Sequence, residues 1–104
     1  MIKVTYYVGT NDKDTLRPKL CKKDFIKVFD ELFKDYTLVE AIGRFTDRNN
    51  QTTEELSLVI TTFIDDCTET TLRQHTQHNC SILKDKLNQE SILVEITRPE
   101  VMFL

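Results

Sequence analysis

The chain has 104 residues, of which 39% are hydrophobic and 30% are charged, and its formal net charge is −3 with a pI near 5.3. These proportions are typical of one folded domain, which we take as residues 1–104, and not of a disordered chain. An acidic chain of this size lacks the broad basic surface that duplex nucleic acid requires, so we do not expect it to bind duplex nucleic acid.

The first ten residues, MIKVTYYVGT, alternate apolar and polar side chains and contain no long apolar run. We therefore expect neither a secretory signal nor a membrane-spanning helix there, and no membrane partner. The three cysteines, Cys21, Cys67 and Cys80, are odd in number and scattered. This pattern favours reduced thiols over a disulfide framework, and the expected localisation is cytoplasmic.

A strand and then a helix are predicted in the first third of the chain. Apolar residues at every second position of the strand alternate with Lys3, Thr5 and Tyr7. The sequence GTND ends the strand, and a polar loop runs on to Pro18. The helix is predicted from an apolar stripe at i, i+3, i+4, i+7 and i+8, formed by Phe25, Val28, Phe29, Leu32 and Phe33.

Residues 37–45 and 55–64 are predicted as two more strands, joined by a loose hairpin through the polar run TDRNNQTT. In the first of them, Leu38 and Ile42 share one face and the odd-numbered residues share the other. In the second, Leu58 and Ile60 point to one side, and Val59 points to the opposite side.

The last third of the chain predicts a second helix and a fourth strand. Asp66 and Glu69 have the spacing of a helix-start capping box, and the helix is expected from about Thr68 to Leu87. Residues 91–97 alternate again. The apolar end VMFL, which follows Pro99, is expected to dock on the sheet.

The predicted order is strand, helix, strand, strand, helix, strand. This order is that of an α+β, ferredoxin-like split βαβ fold (β-α-β-β-α-β), in which a four-stranded antiparallel sheet carries both helices on one face. The whole chain is then a single ferredoxin-like domain.

Such a fold leaves one face of the sheet without helices. The odd-numbered strand residues place Tyr7, Val39, Val59, Phe63 and Leu93 on this face. Apolar area of this extent usually marks an interface. We expect Val39, Val59, Phe63 and Leu93 to contact a second copy of the chain or a heterologous protein. A ligand cleft, or the C-terminal residues folding back, would also cover them.

The stretch LRQHTQHNC holds both histidines and one cysteine, which suggests a metal site or a catalytic pair. At about 100° per residue, however, His75, His78 and Cys80 diverge around the helix, whereas metal ligands must converge. We expect Cys80 to pack half-buried and the histidines to lie on the surface, with no metal. Cys67 is read as a residue of the strand-to-helix junction, because neighbouring carboxylates oppose a reactive thiolate.

Acidic pairs are also read as structural. Glu54 and Glu55 are adjacent on a strand and therefore point to opposite faces, so they cannot form an acid–base dyad. The turn that contains Asp12 and Asp14 lacks the glycine and the distal glutamate of a calcium loop, and we expect it to be solvated. No catalytic residue and no cofactor are predicted.

Basic residues crowd the start of the first helix, in the sequence RPKLCKKDFIK. Cations at a helix N-terminus are unfavourable unless they serve an anion, such as a phosphate or an acidic partner. The alternative is that they simply keep the surface hydrated. The cluster consists of Arg17, Lys19, Lys22, Lys23 and Lys27.

Four segments of the chain, YYVGT, YTLVEAIGRF, EELSLVI and NQESILVEI, together with the phenylalanine near the end, resemble a family of small bacterial proteins of unknown function with a ferredoxin-like domain. The resemblance covers nearly the whole chain. It implies the fold and the register of the strands, and it implies no active-site residue.

The leading functional hypothesis from the sequence is a non-enzymatic binding or regulatory protein, such as an inhibitor or accessory factor, that acts by protein contact as a homodimer or on a heterologous partner. A phage or mobile-element origin is compatible with it. One alternative is a module that binds a nucleotide or other phosphorylated ligand through Arg17, Lys22, Lys23 and Arg44, with Tyr7 stacking on the ligand. The other is a small dimeric α+β barrel enzyme that uses Tyr7, Arg44 and His75.

Overall fold

The computed structural model describes residues 1–46 and 48–104. It confirms the predicted α+β, ferredoxin-like order, with a four-stranded antiparallel sheet in the spatial order β2-β3-β1-β4. The elements are β1 (Ile2–Gly9), α1 (Lys22–Leu32), β2 (Thr37–Thr46), β3 (Thr52–Ile64), α2 (Glu69–Leu87) and β4 (Leu93–Thr97).

The core lies between the sheet and the two helices. Even-numbered residues of β1 and β3, such as Val4, Tyr6 and Leu58, are fully buried, and they belong to one cluster with Phe29 of α1 and Leu83 of α2. Each such side chain stabilises the fold by about 1.5–3 kcal/mol through removal of apolar area from water. Because this cluster fixes which face of each strand turns inward, it also fixes which residues reach the opposite face.

The apolar stripe predicted for α1 is confirmed, although the helix stops before the stripe does. Phe33 is the C-cap residue in an extended conformation and is still buried. Its ring centroid lies 5.2 Å from that of Tyr6. The last aromatic of the stripe therefore reaches the core from the turn after the helix.

The predicted capping role of Asp66 is wrong. Thr68 is the N-cap residue of α2, and its side-chain oxygen accepts a hydrogen bond from the Thr71 amide at 3.2 Å. A cap must lie immediately before the first helical residue, which is Glu69, and Asp66 is two residues too early. Its carboxylate instead lies 3.1 Å from the amino group of Met1.

The expected docking of the VMFL segment on the sheet is also wrong. Phe103 has 87% of its surface exposed, and Met102 and Leu104 are exposed as well. β4 ends at Thr97, which pairs with Lys3 close to the start of β1. Val101, the first residue of the segment, is half-buried, whereas the three residues after it are exposed. Within the described residues, neither helix is long and apolar enough to cross a membrane.

Candidate functional site

The open face, by which we mean the sheet face that carries no helix, holds the odd-numbered strand residues. The register confirms the residues predicted there, because Val59 lies opposite both Tyr7 and Val39, Tyr7 lies opposite Leu93, and Phe63 lies opposite Lys3. Val39, Phe63 and Leu93 are exposed. Whether they form an interface stays a prediction.

A cavity of about 630 Å³, which we call the sheet cavity, lies over the end of the open face where β1 finishes. Small-molecule sites typically measure about 300–1,000 Å³. Besides the charged residues Asp12, Lys13 and Glu90, which lie outside the strands, its lining includes six strand residues: Tyr7, Gly9, Gly43, Phe45, Glu55 and Ser57. These residues belong to the three neighbouring strands β1, β2 and β3, so regular backbone pairing positions them.

Glu55 brings a carboxylate into the sheet cavity across Gly9. A Cβ atom at position 9 would lie 2.6 Å from Glu55 Oε1, closer than any real contact. The missing side chain therefore lets the Glu55 carboxylate lie directly on β1. There Glu55 Oε2 accepts a hydrogen bond of 2.9 Å from the Asn11 amide, which fixes the orientation of the carboxylate.

Phe45 lies across the other glycine in the same way. A Cβ atom at Gly43 would lie 2.7 Å from Phe45 Cε2 and 2.9 Å from Ser57 Oγ. Gly43 pairs directly with Glu55, so the ring and the carboxylate occupy neighbouring positions of the open face. Glycine inside a strand often marks such a close approach. Both glycines of the chain serve the sheet cavity in this way.

A carboxylate beside an aromatic face is a combination suited to a cation. The carboxylate supplies the opposite charge, and the negative face of the ring adds a cation–π attraction. Tyr7 contributes a second ring to the cavity and is oriented by its own hydroxyl, which donates a hydrogen bond of 2.9 Å to Glu95 Oε1. This hydrogen bond to a carboxylate raises the pKa of Tyr7.

The rim of the sheet cavity is formed by the loop after β1, and here the expectation of a solvated turn is wrong for Asp12. Asp12 is buried, and its carboxylate accepts a hydrogen bond of 2.6 Å from Asn88 Nδ2. It also accepts from the amides of Asp14 and Thr15. These hydrogen bonds lower the pKa of Asp12, and the one from Asn88 makes the largest contribution. We call this contact between the loop and the end of α2 the Asp12–Asn88 clasp.

A second cavity of about 430 Å³, the loop groove, lies on the other side of the same loop, against the start of α1. Its walls are mainly apolar and include Pro18, Leu20, Phe25 and Leu56. Leu16, Asn11, Thr53 and Glu55 border both cavities, so the two meet at the start of β3.

Among the basic residues predicted to bind an anion, Arg44 lies on the opposite face of the sheet from Tyr7, and whether the others bind an anion stays a prediction. Lys22 Nζ lies 2.6 Å from Glu40 Oε1 and is already paired. Arg17, Lys23 and Lys27 are exposed. Arg44 lies opposite Glu54 on the helix side of β2, the face away from Tyr7.

The start of α1 carries its own acid among these lysines. Asp24 Oδ2 accepts hydrogen bonds from the Cys21 thiol and the Cys21 amide, at 3.1 and 3.0 Å, and completes a capping box. The same hydrogen bonds lower the pKa of Asp24, and the one from the Cys21 thiol makes the largest contribution. A negative charge at this helix end is favourable because it faces the positive end of the helix dipole.

His75, His78 and Cys80 diverge around α2, and the described residues contain no group of three side chains that could hold a metal ion. Cys80 packs against the core as predicted, and both histidines are exposed. His75 Nε2 lies 3.3 Å from Asn79 Nδ2, and that amide donates a hydrogen bond of 3.0 Å to the buried Tyr6 hydroxyl. Burial raises the pKa of Tyr6 to about 12. This set supports the core and does not border the sheet cavity.

Tyr7 was predicted from the sequence as a site residue, whereas Glu55, Phe45 and the two glycines were not. Glu55 was considered only as a partner of Glu54, and the register confirms that the two point to opposite faces. Gly43 offered a usable signal, because it falls inside a predicted strand, where glycine weakens the strand unless another group approaches closely. Gly9 offered none, because it was predicted to end the first strand.

Solved structures of a phage SAM lyase share this fold. The complex with S-methyl-5′-thioadenosine matches with a TM-score of 0.69 and 24% identity, over 92% of this chain and 79% of that one. The apo state matches with a TM-score of 0.72 and 24% identity, over 92% of this chain and 78% of that one. No protein-family model and no curated protein matches the chain.

These comparisons correct the functional expectations. The leading hypothesis of a non-enzymatic binding or regulatory protein, with an enzyme only as an alternative, is wrong, because these two solved structures with the same fold are those of a lyase, which is an enzyme. The resemblance to a bacterial family is confirmed only as a fold, and its unknown function is not confirmed. The comparisons establish that the chain has the fold of a phage SAM lyase.

Proposed function

We propose that the chain cleaves S-adenosylmethionine (SAM) and releases S-methyl-5′-thioadenosine. The observation that carries the proposal is the carboxylate and the aromatic ring that two glycines admit side by side into one cavity of about 630 Å³. The fold shared with a phage SAM lyase supports it.

The sheet cavity suits the chemistry of this substrate. SAM carries a sulfonium cation between a flat, aromatic adenosine and a zwitterionic methionine chain. Glu55 supplies the opposite charge for the cation, and the rings of Phe45 and Tyr7 supply faces for the sulfonium or the purine. A cation held between a carboxylate and an aromatic ring is better bound than a neutral group of the same shape.

The proposed reaction uses a nucleophile within the substrate. An oxygen of the SAM carboxylate attacks the γ-carbon of the methionine chain, so that a carbon–oxygen bond forms while the γ-carbon–sulfur bond breaks. The electron pair of the broken bond stays on sulfur. The charges of sulfonium and carboxylate cancel, and the products are S-methyl-5′-thioadenosine and homoserine lactone. No proton is transferred, and the protein contributes by holding the chain in the folded conformation that ring closure needs.

The replacement Glu55→Gln tests the site. Because the cation disappears as the bond breaks, Glu55 acts mainly on binding. We expect about tenfold weaker binding of sinefungin, in which a protonated amine replaces the sulfonium, which corresponds to roughly 1.4 kcal/mol. Binding of the neutral S-methyl-5′-thioadenosine should change by less than about twofold. Calorimetry measures both affinities, and chromatography measures release of S-methyl-5′-thioadenosine from SAM.

The matched control is Glu54→Gln, which makes the same change one residue away on the opposite face of β3. It should leave both affinities and the release rate unchanged. The proposal fails if the wild-type chain releases no S-methyl-5′-thioadenosine. Equal weakening of both ligands by Glu55→Gln would contradict the assigned role of its charge. Homoserine as the first product would show attack by water instead of ring closure.

A further inference from the structure

Leu16, in the loop after β1, has a backbone conformation that its residue type disfavours. Its φ is 59°, in the left-handed region, where the Cβ of leucine approaches the following carbonyl oxygen. The other non-glycine residues with positive φ in the described part of the chain are Asn50 and Asn88. Asparagine tolerates this region because its short side chain can hydrogen-bond locally, whereas leucine has no such compensation.

The loop itself dictates this conformation. The Leu16 amide donates to the Asp12 carbonyl at 2.8 Å, and the Asp12 amide donates to the Arg17 carbonyl at 2.8 Å. Asn11 and Pro18 form an isolated bridge across the base of the loop. In this loop the residue that turns the chain back in the left-handed region is Leu16, and glycine would fill that position without strain.

The Leu16 side chain adds nothing to the core in exchange. It is 72% exposed, and it does not belong to the core cluster or to the residues packed against it. It borders both the sheet cavity and the loop groove, as Glu55 does. Leucine at position 16 therefore strains the backbone and exposes an apolar side chain to water. Both effects fall at the edge of the sheet cavity, where β1 ends.

We propose that Leu16 is a substrate-contacting residue whose side chain packs on the adenosine part of the ligand in the sheet cavity; this rests on the proposed function. Glu55 and Phe45 attract the cationic centre of the substrate, and the two remaining parts differ in polarity. The methionine end carries an ammonium and a carboxylate, and neither gains from contact with leucine. The purine is flat and largely apolar on its faces, so it is the part that buries the Leu16 side chain favourably.

The test is the replacement Leu16→Gly in the full chain. Relief of the left-handed strain should raise Tm, while loss of the apolar contact should raise the KM for SAM about tenfold, with kcat within about twofold of the wild type. Because S-methyl-5′-thioadenosine keeps the adenosine, its Kd should rise by the same factor. This result would distinguish Leu16 from Glu55, because replacement of Glu55 should weaken binding of the cationic ligand alone.

The matched control is Asn50→Gly, which changes a left-handed residue that does not line the sheet cavity and should leave KM and Kd unchanged.

Higher stability together with weaker binding is a result that a merely structural role cannot produce. A rise in Tm with KM and Kd unchanged would overturn the inference and leave the proposed function intact. A fall in Tm accompanied by weaker binding would also overturn it, because Leu16 would then be supporting the fold. If the wild-type chain neither binds S-methyl-5′-thioadenosine nor releases it from SAM, the proposed function fails and the inference fails with it.

Discussion

Glycine at positions 9 and 43 removes side-chain volume and does not serve a special backbone conformation. Neither residue has positive φ. What each position excludes is a Cβ atom, which would lie 2.6 Å from Glu55 Oε1 at position 9 and 2.7 Å from Phe45 Cε2 at position 43. Glycine therefore replaces residues that favour strands at two positions, and the space it leaves holds the Glu55 carboxylate and the Phe45 ring on the open face.

The replacement Gly43→Ala should separate stability from function. Alanine inside a strand is favoured over glycine by roughly 0.5–1 kcal/mol, which offsets the displacement of the Phe45 ring. We expect the free energy of unfolding to change by less than about 1 kcal/mol, measured by urea titration. Release of S-methyl-5′-thioadenosine should fall at least about tenfold because the ring no longer lies beside Glu55.

A double replacement identifies the cause of that loss. If Gly43 acts through Phe45, then Gly43→Ala added to Phe45→Leu should reduce cleavage little beyond the effect of Phe45→Leu alone. Independent losses from the two changes would contradict this assignment and would point instead to crowding of Ser57 Oγ, which lies 2.9 Å from the same position.

At the scale of elements, the Asp12–Asn88 clasp predicts a dependence of stability on pH. The pKa of Asp12 is lowered from its ordinary value of 3.8. A carboxyl whose folded-state pKa is depressed stabilises the fold above its ordinary pKa, and this contribution is lost as the pH falls through the folded-state value. Urea unfolding at about pH 6 and about pH 3 should therefore show a smaller acid-induced loss for Asp12→Asn than for the wild type.

Removal of the Asn88 side-chain amide, which donates the hydrogen bond to Asp12, provides a second test of the same prediction. Asn88→Ala deletes the amide that makes the largest contribution to the lowered pKa of Asp12. It should reduce the acid-induced loss in the same direction as Asp12→Asn. An acid-induced loss in Asp12→Asn equal to that of the wild type would show that other carboxylates account for it.

The elements were predictable because periodicity depends on the neighbouring residues in the chain. Alternation in β1, β2, β3 and β4 and the aromatic stripe of α1 gave the order, the inward faces and the residues of the open face. The cap of α2 was misassigned because Asp66 and Thr68 are both plausible caps by residue type. The clasp was not predictable, because its donor lies 76 residues from Asp12 in the sequence.

At the scale of the whole molecule, the proposed function could not be predicted from the sequence, because it needs no set of interacting catalytic side chains that a motif would reveal. A reaction whose nucleophile belongs to the substrate requires mainly a shaped cavity with one correctly placed charge. Glu55, Phe45, Gly9 and Gly43 come from three strands and meet only in the folded sheet. Tyr7 was identified because an aromatic residue on an open sheet face can be inferred from one strand alone.

The remainder of the open face predicts self-association. Phe63 and Val39 are exposed apolar residues that do not line the sheet cavity. Burial of such residues against a second copy would stabilise a dimer. Sedimentation velocity should show a concentration-dependent dimer in the wild type and more monomer for Phe63→Ser. A change to serine at the exposed Ile96, which pairs with Val4 and lies on the other face of the sheet, is the control. A monomeric wild type at every concentration would contradict the prediction.

The Asp12–Asn88 clasp has a consequence for the order in which the molecule folds. The loop that borders the sheet cavity is tied to the end of α2 by Asp12 and also by Gln89, whose side chain donates to the Asn11 carbonyl at 2.9 Å. During synthesis the chain emerges from its N-terminus, so β1 and its loop exist long before their partners at residues 88 and 89. Contacts this distant in sequence form late because a long loop must first close. The nascent protein can thus pair β1 with β3 and still lack an organised edge of the sheet cavity until residues 88 and 89 have been made.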